Sequence, residues 1–433
     1  MKPAIHGGEP ALPWGIIKPW PPVDETDEKL VLDSLRGANH AFGPHCEAFQ
    51  NEFAAWNGNR YAVFTNSGTA ALHMGLAACG VGAGDHVITT AYSWSSSATC
   101  ILHHNAIPIF VEIDFDTINI DVDKIEAAIT PRTKAIVVVH LHGLAVNMDK
   151  LLAVARKHKL RVIEDACQSH GAQFNGRNVG QFGDCAAFSF NQNKCLCSGE
   201  GGMFVTDDED IYRKALQLWS FGETRTPTES RDYHAYALGW MYRGSDLVAA
   251  FGRAQLAKLT RNLAVEMENA AVLNRRLGKV KGLILPTVPA GHTHTYYNYT
   301  SRIDMDAIGW TDEPTIMRDA IIKALQAEGT MVGMWQSFIL PHMTVFQARN
   351  AYGKGCPWSC NGAGDAVVYD VNAYPAAVRH CNTHFGMTVP LRAPNGTDIA
   401  GKVAEAFQKV FENIAQLDPY KILGREQPAA ASK

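Results

Sequence analysis

The chain has 433 residues, which at roughly 150 residues per domain points to two or three units. Apolar side chains make up 46% and charged ones 19%, ordinary globular material able to bury large cores. The formal net charge is only -4, with no block of like charges, and no stretch approaches the ~20 apolar residues that span a bilayer. A nucleic-acid footprint and a membrane partner are therefore excluded as expectations.

At the N-terminus Pro3, Pro10, Pro13, Pro19, Pro21 and Pro22 stand where a signal peptide would carry a basic region and an apolar run. Ten cysteines spread over the chain read as reduced thiols rather than a disulfide framework, so the expected address is cytoplasmic. Seven short apolar runs follow: Tyr61–Thr65, His86–Thr90, Pro108–Ile113, Ala135–His140, Arg161–Glu164, Cys185–Phe190 and Gly202–Thr206. Several lack inside/outside alternation, as strands buried on both faces do. Helical periodicity marks Ala70–Cys79, Met148–Lys159 and Glu209–Trp219. The pattern predicts α/β layers around a mostly parallel sheet. Beyond about residue 245 the spacing predicts a long helix over Asp246–Val280 with Ser245 as its N-cap, a strand over Thr293–Met305, and helices over Glu313–Ala327 and Ile399–Asn413. Residues 335–395, rich in Gly, Pro, Cys, Trp and His, read as a long loop-bearing part of a second, smaller domain.

Four local features carry chemistry. Asn66-Ser67-Gly68-Thr69-Ala70 joins a strand to a helix, where unpaired N–H groups and the helix dipole favour an anion such as phosphate; taken alone, a plain N-cap with a glycine turn is the more ordinary reading. Ile163-Glu164-Asp165-Ala166 places a carboxylate at the carboxyl end of a buried strand, able to face a protonated ring nitrogen or simply to cap the next turn. Phe188-Ser189-Phe190-Asn191-Gln192-Asn193-Lys194 sets a lysine just past a buried strand, a candidate Schiff-base former against the ordinary alternative of a solvated loop lysine. Ser198-Gly199-Glu200-Gly201-Gly202 allows a tight turn close to it.

In this order the four motifs resemble the DegT–DnrJ–StrS aminotransferases, closely over residues 1–260 and loosely beyond. Supporting pieces are Gly7-Gly8, Phe42-Gly43-Pro44, Pro131-Arg132-Thr133-Lys134 and Val179-Gly180. The resemblance implies the aspartate-aminotransferase fold (fold type I). Residues 1–260 would be the N-terminal segment and a large cofactor-binding domain with a mostly parallel seven-stranded sheet, and 261–433 a smaller α+β domain. It implies pyridoxal 5'-phosphate as cofactor, with Lys194 as Schiff-base lysine, Asp165 on the pyridine nitrogen and Trp94 stacked on the ring. Ser67, Gly68, Thr69 and Ser189 would hold the phosphate, with Gln168 near the phenolic oxygen. It further implies a homodimer with shared sites, moving an amino group from glutamate or glutamine to a keto-sugar or a scyllo-inosose-like keto-cyclitol, in amino-sugar or aminocyclitol biosynthesis. Gly239-Trp240-Met241-Tyr242-Arg243 departs from the family, which has asparagine at the position of Met241; a thioether cannot replace that amide donor.

Within the same fold the alternative is a lyase or dehydratase, although the sugar dehydratases of this family carry histidine where Lys194 stands. A cofactor-binding regulator without turnover is the alternative outside catalysis. Paired histidines at 103–104, 140 and 142, and 292 and 294 lack the companions a metal site needs, so no metal is expected. Cys356 and Cys360 are spaced by three residues, unlike a redox pair. For the acceptor pocket the candidates are Trp335, Gln336, His342 and Trp358.

Overall fold

All seven expected strands of the first half join one sheet. In chain order they are β1 (Tyr61–Thr65), β2 (His86–Thr90), β3 (Ile107–Val111), β4 (Thr133–Val139), β5 (Arg161–Asp165), β6 (Cys185–Ser189) and β7 (Gly202–Thr206). The structure is a computed structural model and describes residues 1–224, 233–360 and 362–427. Across the sheet the order is β1-β7-β6-β5-β4-β2-β3. Strands β2 to β6 run parallel, and β7 is antiparallel to both β6 and β1. That reversal follows from the loop between β6 and β7, which turns back without a crossover helix. Gly199 (φ 85°) and Gly201 (φ 137°) make the turn possible, since both sit where a Cβ is strained.

Every residue of β2, β6 and β7 is buried, as expected of strands covered on both faces. Helices α1 (Glu25–Arg36), α2 (Pro44–Asn57), α3 (Gly68–Ala78), α4 (Ser96–Leu102), α5 (Met148–His158) and α6 (Glu209–Trp219) accompany the sheet. The sheet divides two apolar clusters, one holding Phe49, Phe53, Phe188 and Phe190, the other Leu72, Met74, Ile163 and Phe204.

The long helix α7 (Asp246–Leu277) is unbroken, and Ser245 caps it by accepting from Val248 N at 3.4 Å. Its first half packs Leu256, Leu259 and Leu263 into the sheet core. Its second half gives Ala270, Leu273 and Leu277 to another core, which also takes Leu12 from the N-terminal segment. That core is completed by α8 (Pro314–Ala327), α10 (Thr397–Glu412) and an antiparallel sheet of β8 (Leu283–Ile284), β9 (Tyr299–Ile303) and β10 (His384–Met387). Among the described residues no helix is long and apolar enough to cross a membrane.

Three expectations need correction. The strand over Thr293–Met305 is two pieces, because His292–Thr293 pairs with Gln173–Phe174 while Tyr299–Ile303 joins β10. Residues 335–395 are not all loop: helix α9 (Pro375–Thr383) runs directly into β10, and Phe346 and Tyr369 pack on Phe110, with Trp358 against Tyr369. Cys356 and Cys360 are paired as a disulfide, so the thiols are not all free; their turn brings the two Cα atoms to 5.4 Å, within bridging range.

Candidate active site

The eight residues singled out from the sequence come together. Ser67, Gly68, Thr69, Trp94, Asp165, Gln168, Ser189 and Lys194 line one cleft of about 530 Å³. It opens past the carboxyl ends of β1, β2, β5 and β6, where ligands sit in open α/β sheets. Strand alternation decides which carboxylate reaches it. Glu164 points the other way and is buried under hydrogen bonds from His140 Nε2 (2.9 Å) and the amides of Gly180 (2.7 Å), Phe182 (2.7 Å) and Gly183 (2.6 Å). Burial alone would raise its carboxyl, but those donors outweigh it and hold the group below the usual range. Asp165 faces the cleft at 4% exposure. Its Oδ2 accepts from Ser97 Oγ at 2.7 Å and its Oδ1 from Cys167 N at 3.2 Å.

Helix α3 begins at the cleft. Ser67 is its N-cap, accepting from Ala70 N through Oγ at 3.1 Å, so its oxygen serves the helix and only its hydroxyl proton is left for a ligand. At Gly68 a Cβ would lie 2.8 Å from both Cys167 Sγ and Ser189 Cβ. A Cβ on Gly202 would meet the Ser67 backbone at 2.4 Å, which is why the glycine turn after Lys194 can close against the helix start. The result is a cradle of backbone amides at a positive helix end, edged by the hydroxyls of Thr69 and Ser189.

Lys194 is held through its backbone. Its N–H donates to Asn191 O (2.8 Å), and its carbonyl accepts from the Trp20 indole (3.0 Å). Its Nζ lies 4.6 Å over the Tyr297 ring. Trp94 is 57% exposed, so it is not a core tryptophan; its ring stands at the cleft, 6.4 Å from that of Trp335. Gln168 Oε1 accepts from His142 N at 3.1 Å, leaving its amide donors for the cleft. His142 is buried against Trp335, and that burial, with His384, His294 and Lys194 nearby, pushes its pKa well below the ordinary value.

Of the acceptor-pocket candidates only Trp335 lines the cleft. Gln336 is buried behind it, donating to Ser93 O at 3.0 Å. His342 hydrogen-bonds Val371 O on another surface, and Trp358 is a core residue donating to Tyr369 Oη. Met241 is half exposed and outside the cleft, although its carbonyl accepts from Asn66 Nδ2 at 3.4 Å, next to the α3 turn. Sequence reasoning missed Tyr297 and Ser97. Ser97 had a usable signal, lying one turn beyond Trp94 at the start of α4; Tyr297 had none, since its contact with Lys194 spans 103 positions.

A family model described as the DegT/DnrJ/EryC1/StrS aminotransferase family matches residues 21–367. The chain belongs to that family. Along nearly its whole length it is similar to an L-glutamine:2-deoxy-scyllo-inosose aminotransferase from Micromonospora echinospora, 34% identical over 96% of this chain and 99% of that one. It is 39% identical to a GDP-perosamine synthase from Caulobacter vibrioides over 71% of this chain and 81% of that one. Among solved structures, DesV of S. venezuelae in complex with a ketimine intermediate superposes with a TM-score of 0.76 at 27% identity, covering 89% of this chain and 94% of that one. The family's aminotransferases work through pyridoxal phosphate. The cleft suits that cofactor: an amine with no carboxylate partner among the described residues, a buried carboxylate, an aromatic face and an anion cradle border a single space.

Proposed function

We propose that this aminotransferase moves the amino group of glutamine or glutamate to a keto-sugar or a keto-cyclitol of the scyllo-inosose type, with pyridoxal phosphate held on Lys194. The observation that carries the reading is the opening of Lys194 Nζ and the Asp165 carboxylate onto the cleft where α3 begins. The cyclitol choice is supported by the similarity to the 2-deoxy-scyllo-inosose enzyme, which extends over 96% of the chain.

When bound, the cofactor supplies an electron sink for the carbon that loses a proton. The protein supplies orientation and proton handling. Asp165 would keep the ring nitrogen protonated, and Ser97 donates to one of its carboxylate oxygens. Thr69, Ser189 and the α3 amides hold the phosphate. Trp94 would cover one ring face, and the Gln168 amide would serve the phenolic oxygen. Lys194 Nζ would take the proton from the donor's α-carbon and deliver it to the cofactor's aldehyde carbon, and on the acceptor it would run the same relay in reverse, so one amine would serve as base and acid in each half.

Exposed Phe221, Leu238 and Met241, the last accepting from Asn66 through its carbonyl, support a dimer whose partner reaches the cleft. The deciding experiment is a donor panel against a ketone panel, followed at the visible bands of the bound cofactor. Glutamine or glutamate should bleach the lysine-bound band, and a keto-cyclitol should restore it. A band that responds to no amino donor would reject the assignment.

A further inference from the structure

Three consecutive residues around the reactive lysine are gripped by one buried cluster drawn from three distant parts of the chain. The guanidinium of Arg392, 1% exposed, donates from Nη1 to Asn193 O (2.9 Å) and from Nη2 to Tyr297 O (3.1 Å). Its Nε donates to Glu266 Oε1 at 3.2 Å, and the other oxygen of Glu266 accepts from Cys195 Sγ at 3.5 Å. Trp20, whose ring lies 5.1 Å under the same guanidinium, donates from its indole to Lys194 O at 3.0 Å. Arg392 is itself fixed, because Asn269 on α7 donates to Leu391 O and Asn395 O, both at 2.8 Å.

A buried ion pair contributes little net stability for its desolvation cost, so its placement here needs another reason. The planar fork sets separate nitrogens against two carbonyls and a carboxylate, whereas lysine carries all its donors on one nitrogen at the end of a flexible stem. Arg392 does not line the cleft, and each of its three nitrogens already donates within the cluster, so it is not placed to bind the carboxylate of an amino donor.

We propose that Arg392, braced by Glu266 and Trp20, is a positioning residue that fixes both Lys194 and the Tyr297 ring beneath it for proton transfer. This rests on the reading of Lys194 given above. The clamp also ties the small-domain turn at Val389–Leu391 to the lysine loop of the sheet.

The test uses the holoenzyme with Arg392→Lys and, separately, Trp20→Phe, which keeps the ring but removes the indole donor. Single-turnover rates are measured for the donor half and the acceptor half of the reaction, with the absorption maximum of the lysine-bound cofactor and thermal melts alongside. A misplaced lysine slows both halves by the same factor, because one amine serves both. Roughly 10- to 100-fold is expected for Arg392→Lys and less for Trp20→Phe, with half-saturating substrate concentrations unchanged and the absorption maximum shifted. Unaltered half-reaction rates in either folded variant would overturn the proposal. So would a defect confined to the donor half with a raised half-saturating concentration, which would make Arg392 a donor-binding residue. If Arg392→Lys does not fold, Trp20→Phe decides alone. A wild-type enzyme without a lysine-bound band would instead defeat the functional reading beneath it.

Discussion

Lys194 Nζ lies 4.6 Å over the centroid of the Tyr297 ring, and no ion pair among the described residues claims it. An aromatic face attracts an ammonium by about 0.5–2 kcal/mol without tying it to a fixed anion. The amine is thus held in place yet left able to react. Lys194→Ala should lower turnover by at least about 10³-fold and remove the visible band of the bound cofactor. Folding stability should change by no more than about 2 kcal/mol, because the side chain gives up only that ring contact. Lys194→Arg keeps a cation over the ring but offers no reactive amine, and should be equally inactive. Spectra and turnover of the two variants check this; activity surviving in either would remove Lys194 from the chemistry.

Asp165 depends on Ser97, whose hydroxyl donates to Oδ2 at 2.7 Å and is itself 2.8 Å from Ser93 Oγ. Asp165→Asn preserves the shape and the Ser97 contact but removes the charge proposed to face the ring nitrogen. Turnover should fall by about 10²-fold or more, with a much smaller loss of stability. Ser97→Ala should cost about tenfold, one hydrogen bond to a charged group. Parallel melts and rates separate the outcomes. Equal losses of folding and activity in Asp165→Asn would make the aspartate a structural cap.

The sheet was legible because its strands are continuous apolar runs bounded by turn residues, and a buried parallel sheet produces that pattern whatever the rest of the chain does. The site was legible where one local segment carries both the position and the chemistry, as in Ser67-Gly68-Thr69 or the run into Lys194. Helices α1 and α2 went unseen although their signals were present: Asp24 forms a capping box with Asp27, and Pro44 and Gly58 bracket α2. Tyr297, Trp20 and Arg392 were beyond reach for a different reason. Their contacts with the lysine loop span a hundred or more positions, and nothing in their own neighbourhoods distinguishes them from core residues. His342 and Trp358 were misplaced because residues 335–395 build a core of their own against Phe110 instead of only walling the cleft.

The cradle at the start of α3, proposed to hold the phosphate, makes a graded prediction. Thr69→Ala and Ser189→Ala each remove one hydroxyl donor to a charged group and should weaken pyridoxal phosphate binding by roughly 10- to 100-fold. Gly68→Ala should weaken it further, since its Cβ would lie 2.8 Å from two side-chain atoms and must push the α3 start away from Ser189. Titration of the cofactor-free protein with pyridoxal phosphate, followed by absorbance, measures all three. Wild-type affinity in Gly68→Ala would place the phosphate elsewhere.

Glu164, next to Asp165 but on the opposite face, should answer to pH rather than to substrate. It is fully buried, and its four donors hold the carboxyl below its ordinary value of 4.5 despite the burial that opposes them. A depressed folded value means that the stabilisation is complete above the unfolded value and is lost as pH falls through the folded one. Glu164→Gln should therefore cost about 3–5 kcal/mol near neutral pH, where a charged acceptor is lost from a buried network. The gap to wild type should narrow below about pH 4, as the wild-type carboxylate is itself protonated. Melts of both proteins across that range provide the measurement, and a gap that stays constant with pH would show that the charge is not what holds the β5 end. Because Glu164 faces away from the cleft, whatever fraction of the variant folds should turn over normally, the reverse of Asp165→Asn one position along.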